Sequence, residues 1–238
     1  MPIITAIDAT TWQFDEEGVR FFLLAGTERA LLLDSGMFTH DALDLARGLT
    51  DLPIELLNTH ADRDHTGSNA QFDHVYMSLA ETTNYYNSPA GGNAPAPTGA
   101  VIGIWDGQVI DLGARELEVI ALPGHTPGSV AILDRRHRRL FSGDPIQRNG
   151  NIYMFGPQRE MHAYVGSLER LLTRIGAFDE IYPCHADCPL TPEVIPQLIE
   201  GAKRVLTGAV DGEDFEIHGR TVSRVDVGVS AFLCEKRG

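Results

Sequence analysis

Four times along this chain an apolar, strand-like run stops short in a polar loop that carries histidine or carboxylate. The first loop, Asn58-Thr59-His60-Ala61-Asp62-Arg63-Asp64-His65-Thr66-Gly67, follows IELL and packs four ligand-type side chains into six residues. The second, Pro123-Gly124-His125-Thr126-Pro127-Gly128, follows ELEVIAL; the third is Phe141-Ser142-Gly143-Asp144; the fourth is Tyr182-Pro183-Cys184-His185. Imidazole and carboxylate are the donors that zinc, iron and manganese accept, and a catalytic ion needs them on rigid strand ends with one position left open. Strand-end loops of an α/β protein supply that geometry.

The rest of the chain agrees with an α/β (α+β) reading. ITAID, VRFFLLAG and RALLLDSG read as strands parted by EEG and GTE turn signals. DALDLARG is helix-like, IELLNTH and HVYMS are strand-like, and LAETTNYY reads as a short helix. NSPAGGNAPAPTGA holds too much Pro and Gly for regular structure and reads as a loop or rim at 87–99. From Val109 the pattern returns to strands, VIDL, ELEVIAL, SVAIL and RRLFSGD. Two helices follow, MHAYVGSLERLLTRI and TPEVIPQLIEGAKRVL, the second with Thr191 as N-cap and Pro192 at the first helical position. The tail FEIHGRTVSRVDVGVSAFLCE alternates like one or two strands. No repeat or linker divides the chain, so 1–238 reads as a single domain.

Charge removes whole classes of partner. With 19 Lys+Arg against 33 Asp+Glu the net charge is −14, a field that repels phosphate backbones and anionic lipid. Nucleic acid and membrane are therefore not expected partners, and a small-molecule substrate is. The opening MPIITAIDATTWQF has neither a basic nor an apolar leader segment, and three cysteines are too few and odd in number for a disulfide framework. A reducing, cytoplasmic setting fits both observations.

In order, an HxxxDH-type loop, GHTPGS, SGD and PxH resemble the metallo-β-lactamase-fold superfamily of hydrolases over nearly the whole chain, and spacings of 65, 19 and 41 residues between His60, His125, Asp144 and His185 suit a compact member. The resemblance implies a four-layer αββα sandwich of two similar halves. It also implies two divalent ions, with His60, Asp62 and His125 at the first, Asp64, His65 and His185 at the second, and Asp144 bridging. The superfamily pattern HxHxDH is HxDxDH in this chain, so Asp62 stands where a histidine is expected. Zinc is the first expectation for the ions, and the harder oxygen of Asp62 opens iron or manganese. A bridging water made acidic by two ions would attack a small ester, thioester or lactone, with Asp64 orienting it or carrying a proton and Asp144 holding both ions.

Plainer readings stand beside these. The His60 loop could be a strand-to-helix turn with Asp62 and Asp64 near a helix N-terminus. Cys184 and Cys188 flank His185 but lack a second pair and read as thiols rather than a zinc knuckle. His40, His74, His137, His162 and His218 have no such loop context. Arg148, Tyr153, Phe155 and Arg159 follow the bridging aspartate, where superfamily members place substrate contacts; a hydrophobic hairpin with solvated arginines explains them equally. Two other functions compete with the hydrolase. One is a mononuclear iron oxidoreductase of the persulfide-dioxygenase type, and the other a metal-binding protein disabled by Asp62. A nuclease is disfavoured by the charge and by the short interval from Asp144 to His185. The tail strands and the Pro/Ala segment are surfaces a homodimer could use.

Overall fold

A computed structural model describes residues 1–87 and 99–236, so the expected rim loop falls, except at its two end residues, outside the described residues. The chain divides into two compact units, Met1–Ile120 with Ile132–Arg136, and Ala121–Ala131 with His137–Gly238.

The first unit opens as an antiparallel meander of β1 (Ile3–Asp8), β2 (Thr11–Glu16), β3 (Val19–Ala25) and β4 (Ala30–Leu33). After α1 (Ala42–Arg47) the direction rule changes. β5 (Ile54–Leu57) and β6 (His74–Ser78) pair in parallel, and after α2 (Thr82–Asn87) β7 (Ala100–Ile104) adds in parallel too. The result is a seven-stranded sheet whose spatial order is its sequence order. VRFFLLA and ALLL are near-continuous apolar runs because β3 and β4 sit in mid-sheet, where every residue from Phe21 to Ala25 and from Ala30 to Leu33 is buried. Phe14 stacks on Phe21 with centroids 4.6 Å apart, and Leu23, Leu32, Leu56, Val75 and Met77 extend that core. Each such side chain contributes roughly 1.5–3 kcal/mol on burial. β8 (Val109–Asp111) and β9 (Glu116–Ala121) form a hairpin, and β10 (Val130–Asp134) gives its last three residues to this unit. The parallel pairing has a functional consequence, because β4, β5 and β6 end along one edge and the loops that follow them become neighbours.

In the second unit β11 (Arg139–Gly143) is followed by β12 (Asn151–Met154), α3 (Met161–Leu172), β13 (Glu180–Pro183) and α4 (Val194–Thr207). β14 (Glu213–Ile217), β15 (Arg220–Asp226) and β16 (Ala231–Cys234) complete it. β11 and β13 are parallel partners, while the four-stranded sheet runs β12-β16-β15-β14. α3 buries Tyr164, Val165, Leu168 and Leu171, and α4 buries Val194, Ile195, Leu198, Ile199, Ala202 and Val205, stripes with the 3.6-residue period of a helix. Among the described residues no helix is long and apolar enough to cross a membrane.

The expected mixed α/β class is what the structure shows, with several local differences. β7 begins inside the segment read as irregular, and β12 is a strand paired in parallel with β16 rather than half of a hairpin. The tail holds three strands, not one or two. α4 starts at Val194 with Glu193 in the cap position, not Thr191, because the Val194 and Ile195 amides bond back to Thr191 O and Pro192 O in a turn that precedes the helix. α3 is capped by Glu160, whose carboxylate accepts from the His162 and Ala163 amides at 3.0 and 2.6 Å. Partial burial pushes that carboxyl up, but these amides together with the His162 ring hold it below its ordinary 4.5. A depressed carboxyl stabilises above its unfolded pKa and loses that contribution as pH falls through its folded value. Glu160→Ala is therefore expected to cost about 1 kcal/mol at pH 7, and the gap to wild type should close on acidification below pH about 4, as read by denaturant midpoints across pH.

Candidate metal centre

In the first unit the ligand loops hang from the parallel strand ends. Asp34 follows β4 in a left-handed conformation (φ 64°) and is fully buried. Its Oδ1 accepts the Thr59 amide at 2.7 Å, and its Oδ2 accepts the Thr59 hydroxyl at 2.8 Å and faces His65 Nδ1 at 2.9 Å. Asn58, at the end of β5, donates to His65 O at 2.7 Å and accepts from Asn69 at 2.6 Å. Glu81, buried beyond β6, accepts the Ala61 amide at 2.9 Å. The loop is therefore a rigid, hydrogen-bonded shelf. Arg63–His65 forms a short 3-10 turn, and Asp62 at its head makes no side-chain cap, which removes the plain helix-capping reading of this loop. His60 Nε2 lies 3.5 Å from Asp62 Oδ2, and His65 Nε2 lies 3.5 Å from Asp64 Oδ2.

The second unit repeats the device. Because β11 and β13 run in parallel with Gly143 opposite Pro183, Asp144 and His185 leave the sheet at the same end. Gly143 turns at φ 60° to deliver Asp144. His125 follows β9 through Leu122, Pro123 and Gly124, and Thr126 and Ser129 close the loop by a hydroxyl pair at 2.6 Å. The Asp144 carboxylate faces two imidazoles with separate oxygens, Oδ2 to His125 Nε2 at 3.4 Å and Oδ1 to His185 Nε2 at 3.2 Å. A carboxylate so shared is the arrangement a bridging ligand needs.

The donor chemistry fits divalent ions. In each buried ring Nδ1 is taken by a protein oxygen, Thr59 Oγ1 for His60 at 3.0 Å, Asp34 Oδ2 for His65 and Tyr153 O for His125 at 2.9 Å. With Nδ1 committed, Nε2 presents its lone pair, the outer-shell device of metal-bound histidine. Each Nε2 then faces a carboxylate oxygen at 3.4–3.5 Å, long for a hydrogen bond. Two ligands about 2.1 Å from one tetrahedral ion stand about 3.4 Å apart.

The remaining sequence candidates are placed as follows. Tyr153 gives its backbone carbonyl to His125, while its ring lies 5.3 Å from Phe155 and 6.1 Å from His218. Phe155 sits under the Arg220 guanidinium at 5.3 Å. Arg148 is half-buried, and its carbonyl accepts the Asp187 amide at 3.3 Å. Arg159 donates through Nη1 to the carbonyl of His125. His162 is exposed and paired with Glu160, and His40 Nδ1 faces Gly67 O. Cys184, Cys188 and Cys234 are in no disulfide. Sequence reasoning missed Asp34 and Glu81. The signal at Asp34 is a charged residue set directly against a buried run, LLLD; Glu81 follows exposed Leu79 and Ala80 and has no such signal.

Comparison with known proteins agrees with this geometry. The metallo-beta-lactamase superfamily matches residues 15–180. The acyl-coenzyme A thioesterase MBLAC2 of Bos taurus is 28% identical over 211 residues, covering 73% of this chain and 75% of its own. Hydroxyacylglutathione hydrolase of Gloeobacter violaceus is 30% identical over 119 residues, 50% of this chain and 45% of its own. The crystal structure of TTHA1623 in a di-iron-bound form aligns with a TM-score of 0.62 at 25% identity, covering 82% of this chain and 96% of that one. A family match across most of the chain, over strand-end loops whose histidines are already set for metal, makes this protein a member of the metallo-β-lactamase superfamily and a metallohydrolase of that fold.

Proposed function

We propose that the chain hydrolyses a small thioester at a centre for two divalent ions, with residues 1–238 acting as one functional domain. The observation that carries the metal centre is the repeated pairing of a buried imidazole Nε2 with a carboxylate oxygen at 3.4–3.5 Å, each ring fixed from behind through Nδ1. By the superfamily resemblance His60, Asp62 and His125 would hold one ion, Asp64, His65 and His185 the other, and Asp144 would serve both. Ions held there would supply Lewis acidity and lower the pKa of water. Asp34 and Thr59 keep the rings of His65 and His60 in register, and Tyr153 O does so for His125. Asp64, in the middle of the Arg63–His65 turn, is the group that would hold and pass on a proton. Tyr153 and Phe155 offer the acyl part an apolar wall, and Arg148 and Arg159 offer cationic groups to an anionic carrier.

The thioester class rests on the relatives, one named for acyl-coenzyme A and the other for hydroxyacylglutathione, both acyl groups carried on a thiol. Asp62 bears on the metal. Its oxygen lies as close to His60 Nε2 as Asp64 does to His65 Nε2, which supports direct ligation, and a harder donor favours iron or manganese over the zinc otherwise expected. Three cysteines that form no disulfide support a reducing, cytoplasmic setting.

Elemental analysis of protein purified without added metal, alongside Asp62→His, tests this together with a panel of acyl-coenzyme A, acylglutathione, oxygen-ester and lactone substrates. Near two equivalents of metal and faster turnover of the thioesters are expected. One equivalent rising to two in Asp62→His would overturn the dinuclear reading. Oxygen uptake with a thiol substrate would replace hydrolysis by mono-iron oxidation.

A further inference from the structure

Within the second unit a single segment holds the His125 loop by three successive carbonyls. Ser167 Oγ donates to Pro123 O at 2.7 Å, the Glu160 amide donates to Gly124 O at 2.9 Å, and Arg159 Nη1 donates to His125 O. Gly124 makes the approach possible, since at φ 141° a Cβ there would lie 2.4 Å from the Tyr164 N and Cα atoms. Tyr164, on the same face of α3, donates its hydroxyl at 2.8 Å to Pro145 O, one residue beyond Asp144. Burial pushes that phenol well above its ordinary pKa, so it stays a donor. Residues 159–167 thus touch the backbone beside both His125 and Asp144, whose side chains stand 3.4 Å apart.

We infer that Arg159 is a positioning residue for the metal ligand His125, with Ser167 and Tyr164 completing a jig built into the start of α3. The assignment rests on the metal-centre reading above and gives Arg159 a task other than substrate contact. His125 needs its ring in one place, and Tyr153 O fixes only rotation about the ring. Arg159 fixes the backbone from which the ring hangs, with a planar, permanently charged fork that lysine does not reproduce. Arg159 also lines a cavity of about 450 Å³, with Met154, Val225 and Cys234 in its wall.

Zinc affinity of wild type, Arg159→Ala and Arg159→Lys, measured by competition with a chromophoric chelator, tests the assignment, with cobalt absorption spectra as a second readout. Arg159→Ala is expected to bind its tightest ion roughly 10- to 100-fold more weakly, the usual cost of losing an outer-shell partner. Lysine should recover only part of this, and the cobalt spectrum of Arg159→Ala should differ from wild type. Unchanged affinity and cobalt spectrum, or full recovery by lysine, overturns the assignment. If Arg159→Ala does not fold, Ser167→Ala takes its place with a severalfold loss expected and unchanged affinity decisive against it. A wild-type chain that takes up no ion would fail the metal-centre reading and this assignment with it, whereas a metal-replete wild type with unaffected variants fails this assignment alone.

Discussion

Asp144→Ala is expected to lower kcat/KM for a thioester on the order of a thousandfold or more, about 4 kcal/mol of lost transition-state stabilisation, and to reduce the metal bound per chain. Its carboxylate faces two of the candidate histidines. Oδ2 lies 3.4 Å from His125 Nε2 and Oδ1 3.2 Å from His185 Nε2, on a carboxylate that is 6% exposed. Removing it takes away the one negative charge between two imidazoles. Asp144→Asn keeps the shape and one carbonyl oxygen but not the charge, so it should lose nearly as much. Activity and metal content close to wild type in both variants would show that the ions, if bound, are held elsewhere. The fold should survive, because Asp144 caps no helix and lies in a loop, so circular dichroism of either variant is expected to match wild type.

The largest loss of stability is expected at Arg115, which lies in none of the ligand loops and is invisible as a key residue in the primary structure. Its side chain is 2% exposed against an Asp134 carboxylate at 0%, with Nε at 2.8 Å and Nη2 at 2.6 Å from Oδ2. The remaining donors reach Thr10 O at 2.8 Å, Ala25 O at 3.0 Å and Thr11 Oγ1 at 2.9 Å, tying the β1–β2 turn and the end of β3 to the β9 hairpin. Arg115→Met strands a buried carboxylate and three acceptors, at a cost of about 3–5 kcal/mol. The measurement is the shift in denaturant midpoint at constant slope. Arg115→Met with Asp134→Leu should recover a good part of the loss, since an apolar pair no longer buries an uncompensated charge. A single variant within about 1 kcal/mol of wild type would mean that this ion pair is not held as the structure has it.

Much of the site was legible because its signal is local. His60, Asp62, Asp64, His65, His125, Asp144 and His185 each sit directly after a run of period-two or continuous apolar residues, and a strand end followed by donors can be read from ten residues. The helices α3 and α4 were legible for the same reason, their stripes repeating within a few turns. The N-cap of α4 was misplaced by two residues because Thr191 and Pro192 have the right chemistry for a cap while the preceding turn, set by backbone bonds, takes them up first.

What lay beyond the sequence is whatever a distant partner decides. β12 is a strand because β16, some eighty residues later, lies beside it, and β7 because β6 offers it an edge. Arg159 was legible as a cation from its residue type, but that its Nη1 donates to the His125 carbonyl was not. Asp34 read as part of the strand-like run RALLLDSG, and only the parallel register that sets Leu33 opposite Leu57 brings its carboxylate under His65, thirty-one residues away. The sequence by itself determined which side chains could bind metal and that each would stand at a strand end, because side-chain chemistry and strand periodicity are properties of short segments. The tertiary structure alone decided which nitrogen of each histidine points outward and what holds it there, because those hydrogen bonds join residues that meet only when parallel strands pair.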